Sequence, residues 1–455
     1  MKETPQNNRY WLVSGFLTVL QNFSGVFFGF AGFFILVRSL DKVDYGVWVL
    51  FMSTITIFEA IRSGLIQTAL IRYLAANDPE HHPSIISASL LLSGLVTAFC
   101  VALSLLFSPS LARLWDSPQL VGLFLVYNLG FILSGLLNLF NWLEQATFRF
   151  KGIFLTGLVR QVIFFLFVGV CYALDYRIQL IELVWVQVIS IAAATLLAYS
   201  YVRPQLRFTR ARTGEWVKKL FGYGKYGFGT SVSSLLSGTL DQMMLGALLS
   251  PAASGAFNIA VRITNLIDIP TNAMAVIVFP QSARRMAEEG KEAIKYLYEK
   301  SVGTTLAILL PGVVFLYFFA DWAINLIAGE RYDDSIPLLK ITLLYCLLIP
   351  YGRQFGTILD SIGKTKVTFY VVLFTTLVNL GLNFIMIKQM GVLGAAYATL
   401  ISNIVGFIIA QVLLKKEVSV NVFNTFVYMY RFYPEFFQKY VRPFVSKAWA
   451  KRSVR

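Results

Sequence analysis

Apolar runs recur along this chain, separated by short polar breaks, from residue 12 to residue 414. A helix that crosses a bilayer needs about 20 mostly apolar residues. That criterion predicts about twelve spans, at 12–37, 45–70, 84–107, 119–142, 153–174, 180–201, 222–249, 254–280, 301–325, 335–359, 367–388 and 392–414. The breaks leave no room for a soluble module, so the pattern predicts an all-α polytopic membrane protein. A polar start, MKETPQNNRY, precedes a first run too long for a signal-peptide core, and the first span is read as retained. The spans form two groups of six. The predicted organisation is therefore an N-terminal six-helix bundle over 1–202, a basic linker over 203–221, a C-terminal six-helix bundle over 222–416 and a tail over 417–455. The tail mixes aromatic residues with Lys and Arg. It reads as an interfacial helix on the cytoplasmic leaflet or, alternatively, as a frayed basic end.

Composition agrees. The 455 residues are 57% hydrophobic and 14% charged, too little charge for a soluble chain of this size. The 39 Lys and Arg also fall unevenly. With the N-terminus inside, only Arg38, Lys42, Arg113, Arg177, Arg331 and Lys388 lie in outer loops, and Arg62, Arg160, Arg262, Lys340 and Arg353 lie within spans. The rest are cytoplasmic, so both termini are predicted inside. That placement accounts for the net charge of +15 through topology and anionic lipid, with no call for nucleic acid. The three cysteines, Cys100, Cys171 and Cys346, each stand alone, and the two histidines, His81 and His82, are adjacent in a polar loop. No metal-ligand spacing and no histidine-dependent triad can be assembled from them, so no catalytic or metal-binding residue and no cofactor is predicted, and the chain is read as a non-enzyme.

The halves align weakly on each other. RSLDKVDYGVWVLFMSTITIFEAI lies without gaps on ALLSPAASGAFNIAVRITNLIDIP, which sets Gly46 on Gly255 and Glu59 on Asp268; FRFKGIF lies on LDSIGKT, with Gly152 on Gly363. A duplicated transporter shows such a pattern. In this setting VRSLDKVDYGVW, LIAGERYDDSIPLLKI, LDSIGKTKVT and GVLGAAYATLISN resemble, in order, segments of the polysaccharide transport (Wzx-type oligosaccharide flippase) family of the MATE/MOP superfamily. The third-quarter loop departs from the pattern by one residue before Gly329. The resemblance covers most of the chain. It implies two six-helix bundles around a cavity that opens alternately to each side, and a polyprenyl-diphosphate-linked oligosaccharide as cargo, moved from the cytoplasmic to the outer leaflet. Membrane lipids and polysaccharide assembly proteins are the implied partners, and a bacterial or archaeal cell (inner) membrane the implied location. An ion-coupled drug or metabolite antiporter of the same superfamily is the alternative, and a membrane polysaccharide polymerase a more distant one.

Charged residues inside spans supply the candidate chemistry. Each costs about 2.5–3.5 kcal/mol at bilayer depth on insertion scales, so each faces a bundle interior or a wet cavity. Glu59 and Arg62, three apart in IFEAIRSG, share one helix face. They read either as an ion site beside a phosphate contact or as a static pair that tightens packing. Arg160 has no acid nearby in its own helix. Arg262, Asn265 and Asp268 run along VRITNLIDIP towards Pro270, which can break the helix beside them. Arg160 and Arg353 could instead snorkel inward to the cytoplasmic surface, and Arg262 outward. Asp241 ends a stripe of Thr230, Ser234 and Ser237 that lines a path or forms a tight seam, and Arg353, Thr357 and Asp360 form another; Pro311 and Pro350 are candidate hinges. The expected roles are cargo binding by Arg62, Arg160, Arg262 and Arg353, since guanidinium forks suit a diphosphate, and coupling to H+ or Na+ by Glu59, Asp241, Asn265 and Asp268.

Overall fold

A computed structural model describes residues 5–76, 79–147, 149–209 and 211–438. These residues are almost wholly helical. Ten helices among them are long and apolar enough to cross a membrane, and an eleventh span arises if a bent pair is counted as one. The expected twelfth, 222–249, falls in a helix whose centre carries side chains outside the described set.

Contacts divide the chain into two compact units, Met1–Gly255 and Ala256–Arg455. The first holds α1 (Pro5–Ser39), α2 (Lys42–Ala76), α3 (His82–Leu114), α4 (Gln119–Ala146), α5 (Phe150–Ala173), α6 (Leu180–Val202) and α7 (Thr213–Leu248). Within it α2 packs on α4 and, more extensively, on α7; α4 packs on α6 and α1 on α5. Helix α7 differs from expectation in both position and grouping. It begins inside the segment read as linker, because Trp216 is buried against Tyr73 and His81 and gives that basic stretch an apolar anchor. It also groups with the six helices before it, where the hydropathy pattern starts a new bundle at 222. Ser53 on α2 donates to Gln242 on α7 at 3.1 Å, tying the two together by a buried polar bond.

The second unit takes up α8 (Pro251–Ile267) from Ala256 onward. It continues with α9 (Ile269–Glu288), α10 (Lys291–Phe318), α11 (Ala320–Ile327), α12 (Ser335–Cys346), α13 (Ile349–Ser361), α14 (Thr365–Met390), α15 (Val392–Val418) and α16 (Val422–Phe436). The predicted span 254–280 is the bent pair α8 and α9, which meet at 44° across Asp268. Pro270 lies in the first turn of α9. It has no N–H to give the Leu266 carbonyl four residues back, so the break falls where that donor is missing. The span 335–359 is likewise divided, at Leu347–Leu348 just before Pro350. Pro311 stays inside an uninterrupted α10.

The tail begins as expected, with a helix. Helix α16 is fastened to α10 through polar groups. Asn421 caps its first turn by accepting from Phe423 N, and the buried Glu299 of α10 accepts from Asn421 N at 2.8 Å and Asn424 Nδ2 at 2.9 Å. Tyr433 donates to the Ala307 carbonyl at 2.8 Å. Its other face leaves Phe423, Phe426 and Tyr430 exposed. Elsewhere the burial pattern is inverted relative to a soluble protein: Leu106, Leu196 and Val276 point outward while Arg62, Glu144, Glu299, Gln354 and Asn383 are buried.

The glycines that the repeat aligns have separate reasons. A Cβ on Gly255 would stand 3.2 Å from the Gly46 backbone, and one on Gly46 would collide with the Pro251 carbonyl, so α2 and α8 touch at the aligned pair itself. Gly152 instead makes room for the Glu144 carboxylate, whereas Gly363 adopts φ +82° in the turn before α14. At that second pair the match of residue type hides two unrelated demands.

Candidate functional site

Two acid–arginine pairs dominate the interior, one in each unit, and both involve acids that the repeat aligns. In the first unit Glu59 and Arg62 form an ion pair within α2. Arg62 is fully buried. Its Nη1 donates to the Phe131 carbonyl at 2.8 Å, Nη2 donates to Ser134 Oγ at 2.8 Å, and the guanidinium lies 4.3 Å over the Phe131 ring. The Ser134 hydroxyl in turn donates a hydrogen bond to Glu59 Oε1 at 2.6 Å, and Asn138 Nδ2 donates to Oε2 at 3.1 Å. Helix α4 thus completes a network that α2 begins. Glu59 keeps 26% of its side-chain surface, Arg62 none. Of the two readings of this pair, the geometry makes Arg62 a packing group, committed to protein acceptors, and leaves Glu59 as the accessible member.

In the second unit Asp268 sits at the α8–α9 break. Its Oδ2 accepts from Arg353 Nη2 at 3.4 Å, across from α13, and from Asn272 Nδ2 at 3.1 Å. Its Oδ1 is buried without a hydrogen-bond partner. Arg353 keeps 47% of its side-chain surface and Asp268 20%. The sequence placed Arg353 among cargo ligands and Asp268 among ion sites; the fold brings them together. The pairing also gives Arg353 a partner inside the unit, in place of snorkelling.

The other candidates are dispersed. Arg160, midway along α5, is exposed and makes no hydrogen bond or ion pair among the described residues. It lies within electrostatic range of Tyr127, as do Glu59 and Arg62, so it shares their neighbourhood. Arg262 and Asn265 are exposed on α8, Asp241 is buried on α7, and the side chains of Thr230, Ser234 and Ser237 lie outside the described residues. Thr357 turns back to the Arg353 carbonyl, and Asp360 Oδ1 is buried without a hydrogen-bond partner. Lys340, the remaining span cation, faces Asp321 at 3.6 Å. No group of three or more His, Cys, Asp or Glu fit to hold a metal occurs among the described residues.

Several buried polar groups escaped the sequence reading. Glu144 packs its carboxylate at the N-terminus of α5, where it accepts from the Ile153 backbone and faces the positive helix end. Glu299 caps α16. Asn379 and Asn383 form a seam in which Asn379 reaches Thr399 and Ser402 on α15, each at 3.3 Å. The two glutamates lie near span ends, where acids look like ordinary loop charges. Only the helix ends they cap distinguish them, and those ends are set by tertiary packing.

Comparison with known proteins adds a family. A family model described as "Polysaccharide biosynthesis protein" matches residues 35–337. The probable flippase AglR of Haloferax volcanii is 24% identical over 86% of this chain and 81% of its own length. The lipopolysaccharide biosynthesis protein WzxC of Escherichia coli is 20% identical over 86% of this chain and 78% of its own. Among solved structures, the lipid II flippase MurJ in an inward closed conformation superposes with a TM-score of 0.73 at 16% identity, covering 95% of this chain and 93% of that one.

Proposed function

Because the chain belongs to the polysaccharide biosynthesis protein family, we propose that it is a flippase. Its cargo is a polyprenyl-diphosphate-linked oligosaccharide, moved from the cytoplasmic to the outer leaflet by alternating access. The membrane is a bacterial or archaeal cell membrane, the inner one where there are two, with both termini on the cytoplasmic side. The relatives named as flippases and as glycan-assembly proteins support this reading, as does the fold shared with a lipid II flippase.

The observation that carries the cargo assignment is Arg160. It is a permanent cation midway along an apolar helix, open at its surface and without a protein anion among the described residues. An arginine at that depth is costly unless something neutralises it, and a diphosphate offers the matching oxygens. Glu59, Tyr127 and Asn138 stand in the same region with polar atoms suited to sugar hydroxyls. The lipid tail stays in the bilayer, and the protein replaces the hydration that the headgroup loses. No covalent step is needed.

Cells with and without the protein test this through their lipid-linked glycans, assigned to a leaflet by labelling from outside. Loss of the protein is expected to strand completed glycan on the inner leaflet. An unchanged pool and distribution would favour the antiporter, and short unpolymerised units on the outer leaflet would favour the polymerase.

A further inference from the structure

Glu59 and Asp268 occupy one position of the repeat, yet their arginines differ in access. Arg62 belongs to the same helix as its acid and is sealed by Ser134, Phe131 and the pair itself. Arg353 comes from another helix, is about half exposed, and holds Asp268 through a single nitrogen at 3.4 Å. That is longer than the roughly 2.7–2.9 Å of a strong charge-assisted bond. The first pair is a fixture, and the second is built to be opened.

Opening has a defined consequence for Asp268. Oδ2 keeps Asn272, but the Arg353 charge no longer balances the carboxylate, and Oδ1 is already without a hydrogen-bond partner. An isolated carboxylate in a span is far costlier than a neutral acid. Among the described residues, Arg353 from α13 and the Cys346 thiol from α12, itself hydrogen-bonded to Thr264 of α8, are charged or titratable groups that face it. Asn272, on its own α9, faces it as an amide donor. Guanidinium, amide and thiol make a poor cradle for a metal cation, which wants several oxygens, whereas a proton needs only the unpartnered Oδ1.

We propose that Arg353 and Asp268 form a displaceable pair that couples cargo to a proton: a phosphate of the cargo takes the Arg353 guanidinium, and Asp268 takes one proton as its counter-ion leaves. Release reverses both events, so the pair re-forms and the proton departs. The inference rests on the diphosphate reading above. By linkage, cargo that promotes protonation binds more tightly as pH falls, by up to about tenfold per pH unit when one proton is taken up.

The test uses full-length protein in nanodiscs and a farnesyl-diphosphate N-acetylglucosamine diester, whose phosphates do not titrate near neutrality. Wild type is expected to bind the probe with an affinity that weakens with rising pH, and to take up about one proton per probe bound in weakly buffered medium. Asp268→Asn is expected to bind with a flat pH profile and no uptake, and Asp268→Glu to restore both. Binding without proton uptake in wild type overturns the coupling and leaves the flippase reading intact; so does uptake that persists in a folded Asp268→Asn. Absence of probe binding in wild type at any pH counts against the diphosphate reading and removes this proposal with it. The wild-type measurement decides the matter even where the variants fold poorly.

Discussion

Arg62 carries five N–H donors and no surface, so its charge is supported inside the protein, by Glu59, Ser134, the Phe131 carbonyl, the Phe131 ring and, at 3.5 Å, Thr97 Oγ1. Removing one partner of a buried pair leaves the other uncompensated, at about 3–5 kcal/mol. Arg62→Ala is therefore expected to lower stability by about that amount, seen as a collapse of the monodisperse peak when detergent extracts are heated before size exclusion. Arg160→Ala should behave oppositely. Nothing described in the protein depends on that guanidinium, so the melting profile should match wild type while glycan export in cells falls at least tenfold. Equal losses of stability in the two variants would contradict the division of roles. At this scale the sequence was half legible. Charges within spans announce themselves because membranes tolerate few of them. Spacing alone could not say that Arg62 is sealed and Arg353 open, since that depends on what α4 and α13 bring from far along the chain.

Helix boundaries follow local rules and were mostly readable. The break at Asp268 could be anticipated from Pro270, because a missing N–H is a covalent fact. The early start of α7 could not, because Trp216 stabilises it only once Tyr73 and His81 are in place. Helix α16 offers a test of element-level anchoring. Asn421→Ala removes an N-cap worth about 1 kcal/mol, and Glu299→Ala leaves both Asn421 N and Asn424 without an acceptor, a larger loss of about 1–3 kcal/mol. Tryptic cleavage after the exposed Arg431 needs this helix to open. It should quicken by about fivefold in Asn421→Ala and further in Glu299→Ala. Unchanged cleavage in both would show that packing of Thr425 and Tyr433 suffices without the cap.

For the whole molecule, the distribution of Lys and Arg predicts which loops face the cytoplasm, and that assignment can be read chemically. All three native cysteines are buried, so a cysteine added at a surface loop is the reactive one without prior removal of the others. Arg331→Cys is expected to react with a membrane-impermeant maleimide from outside intact cells, and Lys366→Cys only after the membrane is opened. The reverse pattern would invert the topology and with it the direction of transport. Span order was legible from hydropathy because each span satisfies its backbone by itself, while the described residues give ten or eleven of the twelve expected spans. The grouping of α7 with the first unit was not, since it is decided by contacts such as Ser53 with Gln242.

The two acid–arginine pairs also differ in when they can form during synthesis. Glu59 and Arg62 are three residues apart and enter the membrane together, neutralising each other before α4 is made; Ser134 and Asn138, 75 and 79 residues later, only complete the arrangement. Asp268 must wait 85 residues for Arg353. Until the ribosome has delivered α13, the nascent second half holds an acid without its partner, at a cost of about 2.5–3.5 kcal/mol if that acid is ionised. The first half of the repeat therefore carries its charge balance within one helix from the start, whereas the second half acquires its own only when a later helix arrives.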